Sequence, residues 1–377
     1  MEVIIIDDEI LSIHSMEKIL NDMDGIRIVG KCRDWRQALD VLRREKIDLI
    51  FCDIELPEKN GIELAELMMD IQPDAEIAFV TAYDTYAVEA FELNAIDYVL
   101  KPVQKQRIAE TVSRVQKHNI MLNGCQPAKT DEEIHMICSM NYLALRAGKE
   151  AKQFAWRTRK AQELFAYLLH HRGHILSKNN LTDLLWPDAS KDKTLMLLHT
   201  TIYQVRRLIR EEKLDMILSN MVQGYRMDLG KRIELDVDVW EKALQRSPAL
   251  ELGTLEIHQR LMQEYQGDYL AEHGYLWAES EKERLRNLWL QHTASLADFY
   301  LTEGIYEEGI RCYQTIKNRY PYLEDGYFGL MRAYASLGYN DAVANEYQTL
   351  VDYLHSELAL DPKEEIICWY NDWQQNH

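Results

Sequence analysis

Asp7, Asp8, Asp53, Thr81 and Lys101 are the residues whose types and placement could do chemistry together. Asp7 and Asp8 follow the apolar run 3–6. Asp53 ends the run 49–52, Thr81 follows 77–80, and Lys101 follows 98–100. A single acidic residue at a strand end is ordinarily a solvated turn residue. Five groups of complementary type, each at the end of an apolar run, are a different matter. Three carboxylates brought together repel, so they need a cation. A hard divalent ion bound by oxygens, with several waters retained, suits Mg²⁺. Lys101 can neutralise one phosphoryl oxygen and Thr81 can donate a hydrogen bond to another. A phosphoryl group would then sit between metal and lysine, in line for attack by the Asp53 carboxylate.

For these residues to meet, the apolar runs must be neighbouring strands with their carboxyl ends on one edge. A fifth run, 26–29, completes the set. The runs alternate with helical patterns at 9–23 and 34–44, whose apolar residues recur three and four apart. Asp34 with Gln37 is a helix start. Alternating strands and helices predict a parallel five-stranded sheet covered on both faces, an α/β layout. The stretch IDLIFCDIELPEKNG, 47–61, is its centre. Its apolar part reads as a strand buried on both sides, and Pro57 and Gly61 read as the turn into the next helix. Open α/β sheets place ligands at this edge.

With the motif in view, residues 1–121 resemble a two-component receiver domain of the flavodoxin-like class. The Asp7-Asp8 pair, Asp53, Thr81, Tyr98 and Lys101-Pro102 match the family pattern in order and spacing. The resemblance implies phosphorylation at Asp53 and a metal held by Asp8, Asp53 and the backbone carbonyl of Glu55. It also implies Asp7 in the acidic pocket and a cis Lys101-Pro102 bond, which X-Pro permits. Thr81 and Tyr98 resemble the switch pair, in which the threonine moves toward the phosphoryl and the ring fills the vacated space. The segment AYDTYAVEAFELNAIDYVLKP resembles receivers joined to non-enzymatic DNA-binding outputs. A partner histidine kinase would be the donor. The alternative, a phosphatase-like hydrolase, needs a second acid Asp two residues after the first, where this chain has Glu55.

The chain has 377 residues, enough for two or three domains, and a formal net charge of −19. That average argues against nucleic acid, yet it conceals an asymmetry. Residues 134–229 hold 15 Lys and Arg against 9 Asp and Glu, a formal +6, which leaves −25 on the remainder. A basic island in an acidic chain suits a polyanion partner. Six cysteines are scattered without a CxxC pair, as expected for reduced thiols. No signal peptide is expected ahead of the first run, and no apolar stretch approaches the ~20 residues of a membrane span. A cytoplasmic protein is expected.

Residues 122–133 read as a linker, with Gly124 and Pro127 and no periodicity. In 134–236, two short β runs precede three helices and a hairpin. The first helix covers 158–171. Ser177 caps the second, which Pro187 ends. The third runs from about 193 to 212, with a buried stripe of Leu195, Leu198, Ile202, Val205 and Ile209. Rotation by ~100° per residue puts Lys193, Met196, Thr200, Tyr203, Gln204 and Arg207 on the opposite face, with His199 and Arg206 at its margins. Such a face offers hydrogen-bonding and cationic groups for bases and phosphates. A hairpin turning at Gln223-Gly224 closes the region. This order resembles the winged-helix output of response regulators and of SARP-type antibiotic-regulatory activators. By that resemblance the third helix enters the major groove, and the hairpin around Gln223 and Arg226 touches phosphate or the minor groove.

In 237–377, residues 296–316 and 330–350 align at an offset of 34. Leu296 matches Leu330, Tyr300 matches Tyr334, Gly304 matches Gly338, and Tyr313 matches Tyr347. That period signals tetratricopeptide-like helix pairs, all-α, which need less regular neighbours to complete a stack. Trp277, Trp289, Tyr300, Tyr313 and Tyr347 stand at helical spacing, which favours core over a ligand groove. The segment 265–289 resembles the transcriptional activation domain that follows the winged helix in SARP-type activators. No Gly-x-x-x-x-Gly-Lys motif occurs, so the ATPase module of larger relatives is absent.

The expectation is a response regulator, not an enzyme. Phosphorylation would shift a face near 87–93 and 104–116, leading to homodimerisation or release of the winged helix, DNA binding and contact with the transcription machinery. The rival is a signalling adaptor whose repeats carry the output without DNA.

Overall fold

Helices and strands are numbered along the chain. β1 (Glu2–Ile6), β2 (Arg27–Cys32), β3 (Leu49–Asp53), β4 (Glu76–Thr81) and β5 (Asp97–Leu100) alternate with α1 (Ile10–Asn21), α2 (Trp35–Arg44), α3 (Gly61–Ile71) and α4 (Lys105–Gly124). The computed structural model describes residues 1–58, 61–72, 75–82, 97–124, 134–148, 150–189 and 191–376. The sheet order is β2-β1-β3-β4-β5, all parallel. Side chains alternate across it. Val3, Ile5, Leu49, Phe51, Ala78 and Val80 pack with Ile13, Met16 and Leu20 of α1 and Ile108 and Val112 of α4. Ile4, Ile6, Ile50, Cys52, Ile77 and Phe79 pack with Ala38 and Leu42 of α2 and Leu64, Ala65 and Met68 of α3. The two-residue strand period therefore feeds two cores, one on each face. Asp34 caps α2 as expected, accepting from the Gln37 N–H at 2.9 Å. The helix α4 continues to Gly124, through the start of the expected linker. The rest of that linker and all of 87–93 lie outside the described residues.

Three short strands follow, β6 (His135–Cys138), β7 (Ala144–Ala147) and β8 (Glu150–Gln153). Then come α5 (Arg159–His170), β9 (Leu176–Ser177), α6 (Lys178–Leu185), α7 (Lys191–Glu211), β10 (Met216–Met221), β11 (Gly224–Leu229) and β12 (Ile233–Leu235). Thr158 caps α5 through the Ala161 N–H, and Ser177 caps α6 through the Asn180 N–H. β10 and β11 form the closing antiparallel hairpin, and β9 pairs with β11. This is the sheet, three-helix and hairpin order read from the sequence.

The remaining helices are α8 (Asp236–Gln245), α9 (Leu255–Glu264), α10 (Glu279–Thr302), α11 (Tyr306–Arg319), α12 (Glu324–Ser336), α13 (Asn340–Tyr353) and α14 (Glu364–Asn376). α10 runs unbroken into the repeat segment that begins at Leu296. The 34-residue repeat is visible in the backbone. Gly304 (φ +75°) and Gly338 (φ +69°) end equivalent helices in the left-handed region. The Ile305 and Tyr339 N–H groups reach back to the Tyr300 and Tyr334 carbonyls. Glycine adopts that conformation without a Cβ penalty, which is why it recurs there. Trp289, Tyr300 and Tyr313 are buried, as core aromatics rather than groove lining.

The chain forms two compact units, Met1–Met136 with Leu145–Ile233, and Ile137–Ala144 with Glu234–His377. A short segment from the start of the basic region, Ile137–Ala144, groups with the helical unit. The reason is a buried carboxylate. Asp236 accepts from the Ser139 N–H and hydroxyl, each at 2.8 Å, and from the Met140 N–H at 3.1 Å.

In the helical unit, His258 and His292 face each other with ring centroids 5.2 Å apart. Burial, and then the neighbouring His258, pushes the His292 pKa down to about 4. His292 therefore stays neutral when folded and takes a proton when unfolded near pH 6.5. Its effect on stability is absent above that pH and grows as pH falls toward 4. Acidification from pH 7 to 5 is expected to lower the unfolding free energy of this unit by about 1–2 kcal/mol, read as a lower urea midpoint. His292→Leu should flatten that dependence; an equally steep loss in the variant would exclude His292 as its source.

Candidate functional site

Parallel register brings the predicted residues together. Ile6 lies opposite Cys52, so Asp7 and Asp53 are neighbours at the carboxyl ends of β1 and β3. Asp53 lies opposite Val80, and Thr81 opposite Leu100, which sets Thr81 and Lys101 on the same edge. In the order β2-β1-β3-β4-β5, the chain reverses direction across the sheet between β1 and β3, the position where open α/β sheets take their ligands.

Oxygens of Asp7, Asp8 and Asp53 lie within 4.8 Å of one another. Lys101 Nζ bridges two of them, 2.7 Å from Asp7 Oδ2 and 2.6 Å from Asp53 Oδ2. Asp7 Oδ1 accepts from the Glu9 N–H at 2.9 Å, and Ser12 donates to Oδ2. Asp53 Oδ1 accepts from the Glu55 N–H at 3.1 Å. Burial raises the Asp53 carboxyl pKa above the usual range, although Lys101 and the Glu55 N–H pull the other way. Burial pulls the Lys101 ammonium down, but its hydrogen bonds to Asp53 and Asp7 outweigh this and raise it. One lysine therefore faces three carboxylates. In an octahedral Mg²⁺ shell adjacent ligand oxygens stand about 3 Å apart, so this donor set needs little closing to hold the ion. The residues fit a hard divalent cation.

Thr81 is fully buried, and its carbonyl accepts from the Lys101 N–H at 2.8 Å. Tyr98 pairs with Phe79 in β5 and packs on the α2–α3 side of the sheet. The Lys101-Pro102 bond is cis. Sequence reasoning passed over two features. Asp97, buried at the start of β5, accepts from Arg107, Arg114 and Thr111 of α4, and anchors that helix. Gly61 donates its N–H to the Ile54 carbonyl at 2.7 Å, so α3 begins directly against the Asp53 loop.

The comparisons agree with this geometry. Residues 3–113 match the response regulator receiver domain. The first domain is a receiver. Residues 152–227 match the C-terminal domain of transcriptional regulatory proteins, a winged helix, and residues 236–371 match the bacterial transcriptional activator domain of SARP-type proteins. An uncharacterized response regulatory protein of Yersinia pestis is 39% identical over 139 residues, covering 37% of this chain and 58% of the relative. The transcriptional regulatory protein LytR of Staphylococcus aureus is 33% identical over 160 residues, covering 38% and 65%. The chain spans 46% to 65% of the length of these curated relatives and a second LytR. Among solved structures, Mycobacterium tuberculosis EmbR, in complex with a low affinity phosphopeptide, has a TM-score of 0.51 at 16% identity. It covers 65% of this chain and 66% of that one. That likeness is one of fold. Among the described residues no helix is long and apolar enough to cross a membrane.

The winged helix corrects one expectation. The α7 stripe Leu198, Ile202, Val205 and Ile209 is buried as read, but Leu195 near the start is exposed. The opposite face is covered too. Thr200, Tyr203 and Gln204 are 4%, 5% and 8% exposed. The Gln204 side chain accepts from Thr158, the α5 cap. Arg206 turns to the hairpin and donates to the Leu218 carbonyl at 2.9 Å, so it is a packing residue here. Arg207 pairs with Glu211 at 2.6 Å. The side chain of Lys193 lies outside the described residues. Of the hairpin residues, Gln223 is exposed, and Arg226 is partly exposed and paired with Asp228 at 2.8 Å. Helical periodicity separated two faces correctly; it could not show that both would be packed.

Proposed function

We propose that this chain is a phosphorylation-controlled transcriptional regulator of a two-component system. The cluster of Asp7, Asp8 and Asp53 bridged by Lys101 carries the reading. An Asp53 carboxylate oxygen attacks the phosphorus of a phosphohistidine on a partner kinase. The new P–O bond forms as the P–N bond breaks, and the departing imidazole nitrogen keeps the electron pair and takes a proton. Lys101 neutralises a phosphoryl oxygen, and the Thr81 hydroxyl donates to another. Asp8, Asp53 and the Glu55 carbonyl would hold Mg²⁺, which would supply positive charge to offset the remainder. The modification adds roughly −1.5 to −2 charge. Thr81 and Tyr98 respond as a pair, and the chain passes to a homodimer that binds promoter DNA and reaches the transcription machinery.

DNA contact falls to the outer face of α7, with Lys193, Thr200, Tyr203, Gln204 and Arg207, and to Gln223 and Arg226 of the hairpin. Arg206 supports the hairpin beside them. Incubation with Mg²⁺ and acetyl phosphate, followed by intact-mass measurement and footprinting on the chain's own upstream region, tests both halves. An adduct of one phosphoryl mass with phosphate-dependent protection is expected. Arg207→Ala should weaken binding by about 1–3 kcal/mol and flatten its salt dependence. Unchanged affinity would remove α7 as the reader.

The burial of Thr200, Tyr203 and Gln204 favours a second reading, an adaptor that signals through protein contacts of the repeats. No footprint with or without phosphate would support it. In neither reading is turnover of phosphate esters expected, only slow loss of the chain's own phosphoryl group.

A further inference from the structure

The packed helices α9 and α10 carry buried polar atoms that find no hydrogen-bond partner among the described residues. They are both ring nitrogens of His258, the Nε2 of His292 and the hydroxyl of Thr293. His258 is 4% exposed, whereas His292 keeps one side toward solvent. An unpaired buried donor or acceptor forfeits its hydration without return, and native interiors hold few of them. The frame around the two rings is fixed. Trp289 Nε1 donates to the Met262 carbonyl at 2.9 Å, one turn from each histidine. Trp240 Nε1 donates to the Leu261 carbonyl at 2.9 Å. The two imidazoles stand 5.2 Å apart, centroid to centroid, tilted by 50°. Imidazoles that share one ion through nitrogens ~2.0 Å away have centroids about 5–6 Å apart.

We propose that His258 and His292 are the protein ligands of a monovalent copper site between α9 and α10. The donor set selects the ion. Among the described residues no cysteine, carboxylate or third histidine completes a group of three with this pair. Asp236 is taken up by Ser139 and Met140, and Asp268 by Arg286, Tyr265 and Tyr320. The donors are therefore neutral nitrogens, with Leu261, Met262, Trp289 and Leu296 buried on the same two helices. Mg²⁺ and Ca²⁺ take oxygens. Zn²⁺ takes four ligands and would bring two charges into an apolar seam with no anion to offset them. Cu⁺ accepts two or three nitrogen or sulfur donors and brings one charge, and the cost of desolvation scales with the square of the charge. A bridging water is the rival occupant; it would satisfy the same nitrogens and bind no metal. The site is independent of Asp53 and does not rest on the phosphoryl reading.

The test uses the full chain, stripped with a chelator, with accessible thiols blocked by N-ethylmaleimide so that they do not take the ion. Anaerobic titration with Cu⁺ against bicinchoninate should show one ion withdrawn from the coloured complex. The bound ion should also raise the urea midpoint of the helical unit. His258→Leu and His292→Leu should each lower the affinity about 100-fold or more and cancel that shift. Cooperative urea unfolding shows that the helical unit of each variant is folded. Should His258→Leu fail there, His292→Leu, at the partly exposed ring, carries the comparison. Copper withdrawn equally by the wild type and a folded variant, or not withdrawn by the wild type, would overturn the copper site. Zn²⁺ held only while both histidines are present, with no Cu⁺ taken up, would keep the pair as a metal site and overturn copper as its occupant.

Discussion

Asp53→Asn is expected to abolish the phosphoryl adduct from any donor, and with it every phosphate-dependent change in DNA affinity. The amide is the same size but its oxygen is not a nucleophile, so no acyl phosphate forms. The neighbouring acids do not substitute. Asp7 is held by Glu9, Ser12 and Lys101 and is oriented as a charge partner. The same substitution should not destabilise the receiver in metal-free buffer. Asp7 and Asp53 share one lysine beside a third carboxylate, Asp8, and burial already disfavours the ionised Asp53. Its folded pKa lies above the unfolded value, so the ionised group weakens the fold at neutral pH. That cost fades as pH falls through the folded pKa. Removing the charge relieves it, while Lys101 keeps Asp7. Mg²⁺ should accordingly raise the melting temperature of the wild type and do less for the variant. Intact-mass spectrometry decides the first point and a melting series the second. A wild-type adduct on the Asn variant would end the assignment of Asp53.

Gly61→Ala is expected to reverse the usual rule for helices. In an ordinary helical position the exchange gains up to about 1 kcal/mol. Here a Cβ would lie 2.1 Å from the Asp53 carbonyl oxygen and 2.9 Å from the Ile54 Cα. Both obstacles are backbone, so no rotamer change relieves them. Either α3 moves away or the loop that carries Asp53 does. A loss of about 2–4 kcal/mol in receiver stability should result, with adduct formation slowed on the order of tenfold. Thermal unfolding and the time course of the mass shift measure the two effects. A variant as stable and as fast as the wild type would show that the loop can give way freely.

Much of the site was legible because it is built from strand ends. A period of two and a short apolar run locate a strand, and the residue after it is then known to within one position. Asp7, Asp53, Thr81 and Lys101 follow directly, and parallel pairing leaves them little choice but to meet. Asp34 and Ser177 were legible for a similar reason, since a cap acts on its own helix three residues on. Gly304 and Gly338 were readable from the repeat alone. Other features join residues far apart in the chain and leave no local trace. Asp236 reaches back 97 residues to Ser139 and ties that segment to the helical unit. Asp97 collects three donors from α4, although nothing in the sequence pairs them.

The amino-acid sequence by itself determined which groups could accept and hold a phosphoryl, which strands carry them, and where the basic island and the repeats lie. Those are matters of periodicity and of nearest neighbours. Only the tertiary structure decided that the polar face of α7 is buried, Tyr203 among Leu64, Ala65 and Met68 of α3 and Gln204 against Thr158, rather than open to solvent. An amphipathic pattern states that two faces differ, and contact between domains then chooses which partner each face meets.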